Sequence, residues 1–186
     1  MDLPVSEEEK MVAELELLGI RYLSRQTSYS AKAARPPENL LADLVQQPSA
    51  RVRSAVIAVL LAHPEYADAV PTALLNLSVR EQWTLRLFYM AAVLMQSAFA
   101  ESLRKYLAGR GKMLPPLFAE EMGVSIEGDP HQELILLGRE HQRRTQMVVN
   151  WVGTYEDVTR RLLRQWEMEQ QWSQSPPRSS APSCNA

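Results

Sequence analysis

Side-chain catalysis needs titratable or nucleophilic groups held together. This chain offers three histidines, one cysteine and 22 carboxylates among 186 residues. A zinc site takes three or four Cys, His or acidic ligands. His131 and His141 are ten residues apart, or ~15 Å along a continuous helix. His63 stands alone, and Cys184 lies among serines and prolines near the C-terminus. Neither a metal site nor a cofactor site is expected. The run GRGK at 109–112 has the glycines and lysine of a phosphate cradle. That cradle needs Gly-x-x-x-x-Gly-Lys-Ser/Thr between a strand and a helix. Here Tyr106 holds the first glycine position and Met113 the hydroxyl position. A helix C-cap is the better reading, and a helix C-terminus repels anions.

Acid–base and nucleophilic arrangements are equally sparse. Glu120 and Glu121, like Glu7, Glu8 and Glu9, are sequence neighbours, and such neighbours do not face each other on a helix. No Gly-x-Ser-x-Gly elbow surrounds a serine, and Ser28, Ser30 and Ser125 have no evident base partner. None of the histidines has an arginine five residues before it, which excludes the Arg-x-x-x-x-His signature of the helical HEPN ribonucleases. No catalytic residue is expected. A helical enzyme assembling its site from loops 26–35 and 123–129 is the form catalysis would have to take.

Arginine is the remaining chemistry, because its planar fork recognises carboxylates and phosphates. Arg139, Arg143 and Arg144 fall on one helix and Arg160, Arg161 and Arg164 on the last. If those helices pack antiparallel, the two groups can merge into a partner-binding face. Arg51 and Arg53 form a smaller pair, and Arg53 is placed to meet Asp43 across a hairpin. Interleaved Glu140, Glu156, Asp157, Glu167 and Glu169 also fit plain solvated faces. Trp83, Trp151 and Trp166 fit apolar stripes. Trp172 stands at the edge of a polar tail, either as a frayed end or as an anchor of the kind enriched at binding hot spots.

The element that must position all of these is the run at 87–95, LFYMAAVLM, inside a helix expected over 82–108. A helix apolar all round is buried on every side. The run falls short of the ~20 apolar residues that cross a bilayer. Around it, Ser6 and Glu9 open a helix expected to reach about Arg25, with Gly19 as an alternative C-cap. Pro36 and Pro37 open another, carrying Leu40, Leu41, Leu44 and Val45 inward. Pro48 and Ser49 separate it from a stripe of Val52, Ala55, Val56, Val59 and Leu60, which His63 and Pro64 end. Val70, Ala73, Leu74 and Leu77 follow, with Pro71 in a first turn or at a kink. Ser78 and Glu81 cap the central helix, and 109–111 should stop it. Residues 117–122 read as a short helix. Asp129 and Pro130 start a long one with Leu134, Leu137 and His141 on one side. Residues 146–152 continue apolar, and Gly153 with Thr154 marks the next break. The last helix turns Tyr155, Val158, Leu162, Leu163 and Trp166 inward. Residues 173–186, rich in Pro and Ser, are expected to be disordered.

The stretch LLADLVQQPSARVRSAVIAVL, within about 38–62, resembles a single HEAT-type helical repeat. Leu41 and Leu44, the turn at Pro48, then Val52, Arg53, Ala55 and Leu60 carry the likeness. The resemblance implies a helix hairpin of a scaffold that binds proteins or nucleic acid without catalysis. No second copy follows at a fixed period, and a solenoid needs about three. An all-α, irregular multi-helix bundle is therefore expected, with a HEAT-like hairpin around a long buried central helix. Its domain should span 1–172, with a candidate subdivision near 109–116.

At 46% hydrophobic and 23% charged, the composition is that of a globular protein. A net charge of −2 gives no global basic field. One cysteine and an acidic N-terminus without an apolar stretch suggest a cytoplasmic protein. The expected function is a non-catalytic adaptor binding another protein, a separately encoded enzyme being one candidate, with no membrane partner. The alternative is nucleic-acid binding through the arginine faces.

Overall fold

The computed structural model describes residues 5–24, 29–107 and 111–174. These residues form an all-α, irregular bundle without strands. In order, the elements are α1 (Glu7–Leu17), α2 (Pro37–Val45), α3 (Ala50–Arg53), α4 (Ala55–Ala62), a 3-10 turn (Pro64–Ala69) and α5 (Val70–Leu75). There follow α6 (Val79–Ala98), α7 (Ala100–Leu107), α8 (Ala119–Met122), α9 (Pro130–Thr145) and α10 (Trp151–Gln174). No described helix is long and apolar enough to cross a membrane.

Helix α6 is the centre. Every residue from Leu87 to Gln96 is buried, enclosed by α4, α9 and α10 with α2 and α7 at its flanks. Arg144, at the end of α9, lies over Trp83 near the start of α6, while His141 meets Phe88, so α9 runs antiparallel to α6. The next helix runs with it: Trp151 meets Phe88, Arg160 lies over Phe99, and Trp166 meets Tyr106. Two polar side chains on α6 hold the connection that crosses it. The Tyr89 hydroxyl donates to the Pro115 carbonyl at 2.7 Å. Gln96 accepts from the Leu114 amide at 2.8 Å and donates to the Lys112 carbonyl at 2.9 Å. Helix α4 is enclosed as well, with Ala55 through Leu61 all buried.

Local signals account for several boundaries. Capping boxes at Ser6/Glu9 and Ser78/Glu81 start α1 and α6, each satisfying two otherwise orphaned donors. Asp129 caps α9 ahead of Pro130, and Pro71 lies in the first turn of α5. Gly123, left-handed at φ 63°, ends α8. Four boundaries differ from expectation. Helix α1 stops at Leu17 rather than near Arg25, because Gly19 takes φ 78°. Ile20 then donates to the Leu15 carbonyl and Gly19 to that of Glu16, a Schellman closure. The central helix breaks at Phe99 (φ −112°, ψ 25°), so α7 is a separate element. Gln146 turns left-handed at φ 55°, placing the break at 146–150 instead of Gly153. Asn150 then accepts from the Gly153 amide through its side chain and from the Thr154 amide through its carbonyl. Lastly, α10 runs on to Gln174. The expected stop at 109–111 falls partly, and most of the expected tail wholly, outside the described residues, as does part of loop 26–35.

Gln96→Leu keeps the bulk but leaves the Leu114 amide and Lys112 carbonyl unpaired. It should lower unfolding stability by about 2 kcal/mol, measured by urea denaturation, with helix content unchanged.

Candidate partner-binding surface

The last turns of α10 present Arg161, Arg164, Gln165, Met168, Glu169 and Trp172 on one side. This i, i+3, i+4, i+7, i+8, i+11 spacing is a single helical stripe. With Arg21 and Tyr22 from the turn after α1, these residues line a recess of about 480 Å³. Tyr22, Met168 and Trp172 supply its apolar surface. Three arginines stand around it against one carboxylate. Trp172 is 69% exposed, which is unusual for the largest apolar side chain. Tyr22 packs on the core, and its hydroxyl is buried with no hydrogen-bond partner among the described residues. That burial, partly offset by Arg161 and Arg51, pushes the phenol well above its ordinary pKa.

One amide fixes the geometry. The Gln165 side chain accepts from the Arg21 and Tyr22 backbone amides at 2.7 and 3.0 Å. It donates to the Gly19 carbonyl and to Glu169 Oε1, each at 2.8 Å. Polar groups left over by the Schellman turn are thereby paired to α10. Glu169 Oε1 also accepts from Arg21 at 3.0 Å, in a pair open to water on both sides. Such pairs are worth ~0–1 kcal/mol.

Arg21 and Glu169 also line a second cleft, of about 560 Å³, between this turn, the His63 corner, α7 and α10. Tyr106 and Trp166, 5.9 Å apart, form one side of it. His63 is fully engaged there, with Nε2 on the Leu18 carbonyl at 2.8 Å and Nδ1 on Glu65 at 3.0 Å. His63 works as a joint between α4 and the turn after α1.

The arginines singled out from sequence do not form one face. Arg144 stacks 3.5 Å from the Trp83 ring centroid and Arg160 lies 5.4 Å from that of Phe99. Those aromatics are 16 positions apart at the two ends of α6, or ~24 Å. Helices α9 and α10 do run antiparallel, but Arg144 lies in the last turn of α9 and Arg160 well past the first turns of α10. Glu140 holds both Arg143 and Arg144, Glu156 holds Arg160, and Asp157 holds Arg161. Arg139 and Arg143 border a shallow recess of their own. Only Arg161 and Arg164 reach the α10 recess. Among the described residues Arg164 makes no ion pair. Arg51 donates to the Tyr22 and Leu23 carbonyls and Arg53 to that of Gln47, so both serve as braces. Asp43 pairs with Arg35, not Arg53. Arg35 also grips Glu14 at 2.6 Å, largely out of water.

His141 follows the inward stripe of Leu134 and Leu137 into the core. It is 1% exposed, stacked on Trp151 with ring centroids 3.4 Å apart and planes 6° off parallel. Its Nδ1 lies 2.6 Å from the Tyr155 hydroxyl. Burial, with a contribution from the charge of Arg53, pushes the imidazole down to about 3. Burial also pushes the Tyr155 phenol far up. Both groups are therefore neutral at pH 7 and share one proton. The other ring nitrogen, Nε2, is buried without a hydrogen-bond partner among the described residues. Neither cleft is lined by His141, whose ring packs on Phe88 and Trp151. No group of three His, Cys, Asp or Glu among the described residues can hold a metal ion.

Compared with known proteins, the chain matches no family model, no curated protein and no solved structure at a significant level.

The His141 environment has a measurable consequence. The folded imidazole titrates near 3 and the unfolded one near ~6.5. The unfolded chain thus binds more protons below neutrality. Stability is full above that upper value and is lost as pH falls. The loss between pH 7 and pH 5 should be about 2 kcal/mol. Urea melts across that range measure it, and His141→Gln should flatten the slope.

Proposed function

We propose that this chain is a non-catalytic helical adaptor that binds another protein through the recess on α10. The observation that carries this reading is an exposed Trp172 beside Met168 and Tyr22, ringed by Arg21, Arg161 and Arg164. Interfaces draw their energy from a few aromatic and arginine anchors, and these are the residue types concerned. A recess of about 480 Å³ matches one or two inserted side chains. The hairpin of α2 with α3 and α4 supports the same reading, since a HEAT-like pair is a scaffold unit. A separately encoded enzyme in the cytoplasm is the partner this proposal favours.

Nucleic-acid binding is the less supported alternative. Phosphate-driven affinity depends on several unpaired cations along one track. Here Arg143, Arg144, Arg160 and Arg161 are each held by a carboxylate on their own helix.

Affinity capture from native extract should give a stoichiometric protein partner with the wild-type chain. Arg164→Glu should lose it by at least about tenfold, given typical hot-spot costs, with thermal stability unchanged. Equal capture by both forms, or none by either, overturns the proposal. A gel shift of nucleic acid at low salt would favour the alternative.

A further inference from the structure

The α10 recess is occupied at one point by the protein's own carboxylate. Glu169 sits where the recess meets the neighbouring cleft, and it lines both together with Arg21. One oxygen, Oε1, takes hydrogen bonds from Arg21 and from Gln165. Their distances, 3.0 and 2.8 Å, are those of ordinary charge-assisted bonds. The Arg21–Glu169 pair is open enough to water to break at small cost. Around it the surface carries more arginine than carboxylate, and Arg164 has no ion pair among the described residues.

We propose that Glu169 is an internal stand-in for a carboxylate of the partner, and that the partner segment is an acidic amphipathic helix. The inference rests on the docking surface proposed above and names what fits it. The stripe from Arg161 to Trp172 covers eleven helical steps, or ~16 Å, which suits a second helix laid alongside. Its apolar residues meet Met168 and Trp172. One of its carboxylates takes Arg164 and another displaces Glu169 from Arg21, while Arg161 stays with Asp157. Released, Glu169 no longer bars the junction, and recess and cleft become one groove. Affinity is thereby set in part by competition within the chain itself, since every partner must first exchange one carboxylate for another.

The test uses the full chain and two synthetic acetylated helical peptides. One has leucine on one face and glutamate on the other; its counterpart has lysine in place of glutamate. Calorimetric titration should show binding of the glutamate peptide alone, weakening as salt rises. Glu169→Gln should tighten that binding about threefold, the scale of one exposed ion pair. Glu169→Ala serves as a second variant, and circular dichroism checks the fold of each. Arg21→Ala should weaken binding in the wild type and abolish the gain from Glu169→Gln. If Arg164→Glu weakens binding but Glu169→Gln leaves it unchanged, the stand-in role is overturned while the docking surface stands. If both peptides bind equally, or neither binds, the acidic-helix assignment is overturned. Self-association that the glutamate peptide displaces would assign the recess to a second copy of the chain and overturn the inference likewise.

Discussion

The enclosure of α6 is the constraint from which the rest of the molecule follows. A helix with apolar side chains around its whole circumference has no face to give to water. The two other longest helices are committed to covering it. Helix α9 covers it running backward, α10 running forward, and α4 covers it while being enclosed itself. Burying each large side chain contributes roughly 1.5–3 kcal/mol, so the cover is strongly specified. What remains for interaction is the outer surface of the covering helices, α10 above all. Its last turns pass the end of α7 and reach beyond the core.

Polar groups inside this bundle act as registers. Gln96 and Tyr89 fix the crossing connection, Gln165 fixes the turn after α1, and Arg35 ties Glu14 to Asp43. Each sets one element against another at a single position, which apolar contact alone does loosely. The surface arginines work differently. Arg143, Arg144, Arg160 and Arg161 are each held by a carboxylate three or four residues away on the same helix, which contributes little stability but keeps their charge local. On α10, Arg164 has no ion pair among the described residues, whereas Arg160 and Arg161 are paired.

Much of the fold could be read from the sequence because its signals are local. The apolar run at 87–95, the Ser78/Glu81 box, the Asp129–Pro130 start and the inward stripe of α10 each sit within one or two helical turns. The misses are of another kind. Gly19 suits a helix interior or a C-cap, and the partner of its cap, the Gln165 amide, lies 146 residues on. Phe99 carries no breaker signal; its helix ends because α7 turns onto α10. His141 was placed on the correct stripe with Leu134 and Leu137. Its stacking on Trp151 and its bond to Tyr155 depend on where Gln146 ends α9, and a non-glycine at φ 55° leaves no mark in composition. Helices α9 and α10 do run antiparallel, as the expected merging required, yet Arg144 and Arg160 lie against opposite ends of α6, which helical spacing alone does not reveal. Trp172 and Arg164 were legible as types, while their meeting with Tyr22 was not.

The Gln165 clip joins the turn at 19–22 to α10 across a loop of more than 140 residues. Closing so distant a contact is entropically late, because the intervening elements must first be in place. The surface made by Tyr22 and Trp172 thus exists only when synthesis has passed Trp172 and the bundle has closed. A half-made or locally opened chain displays neither side of it correctly. Whatever recognises that surface is, in effect, inspecting whether the whole protein has finished folding.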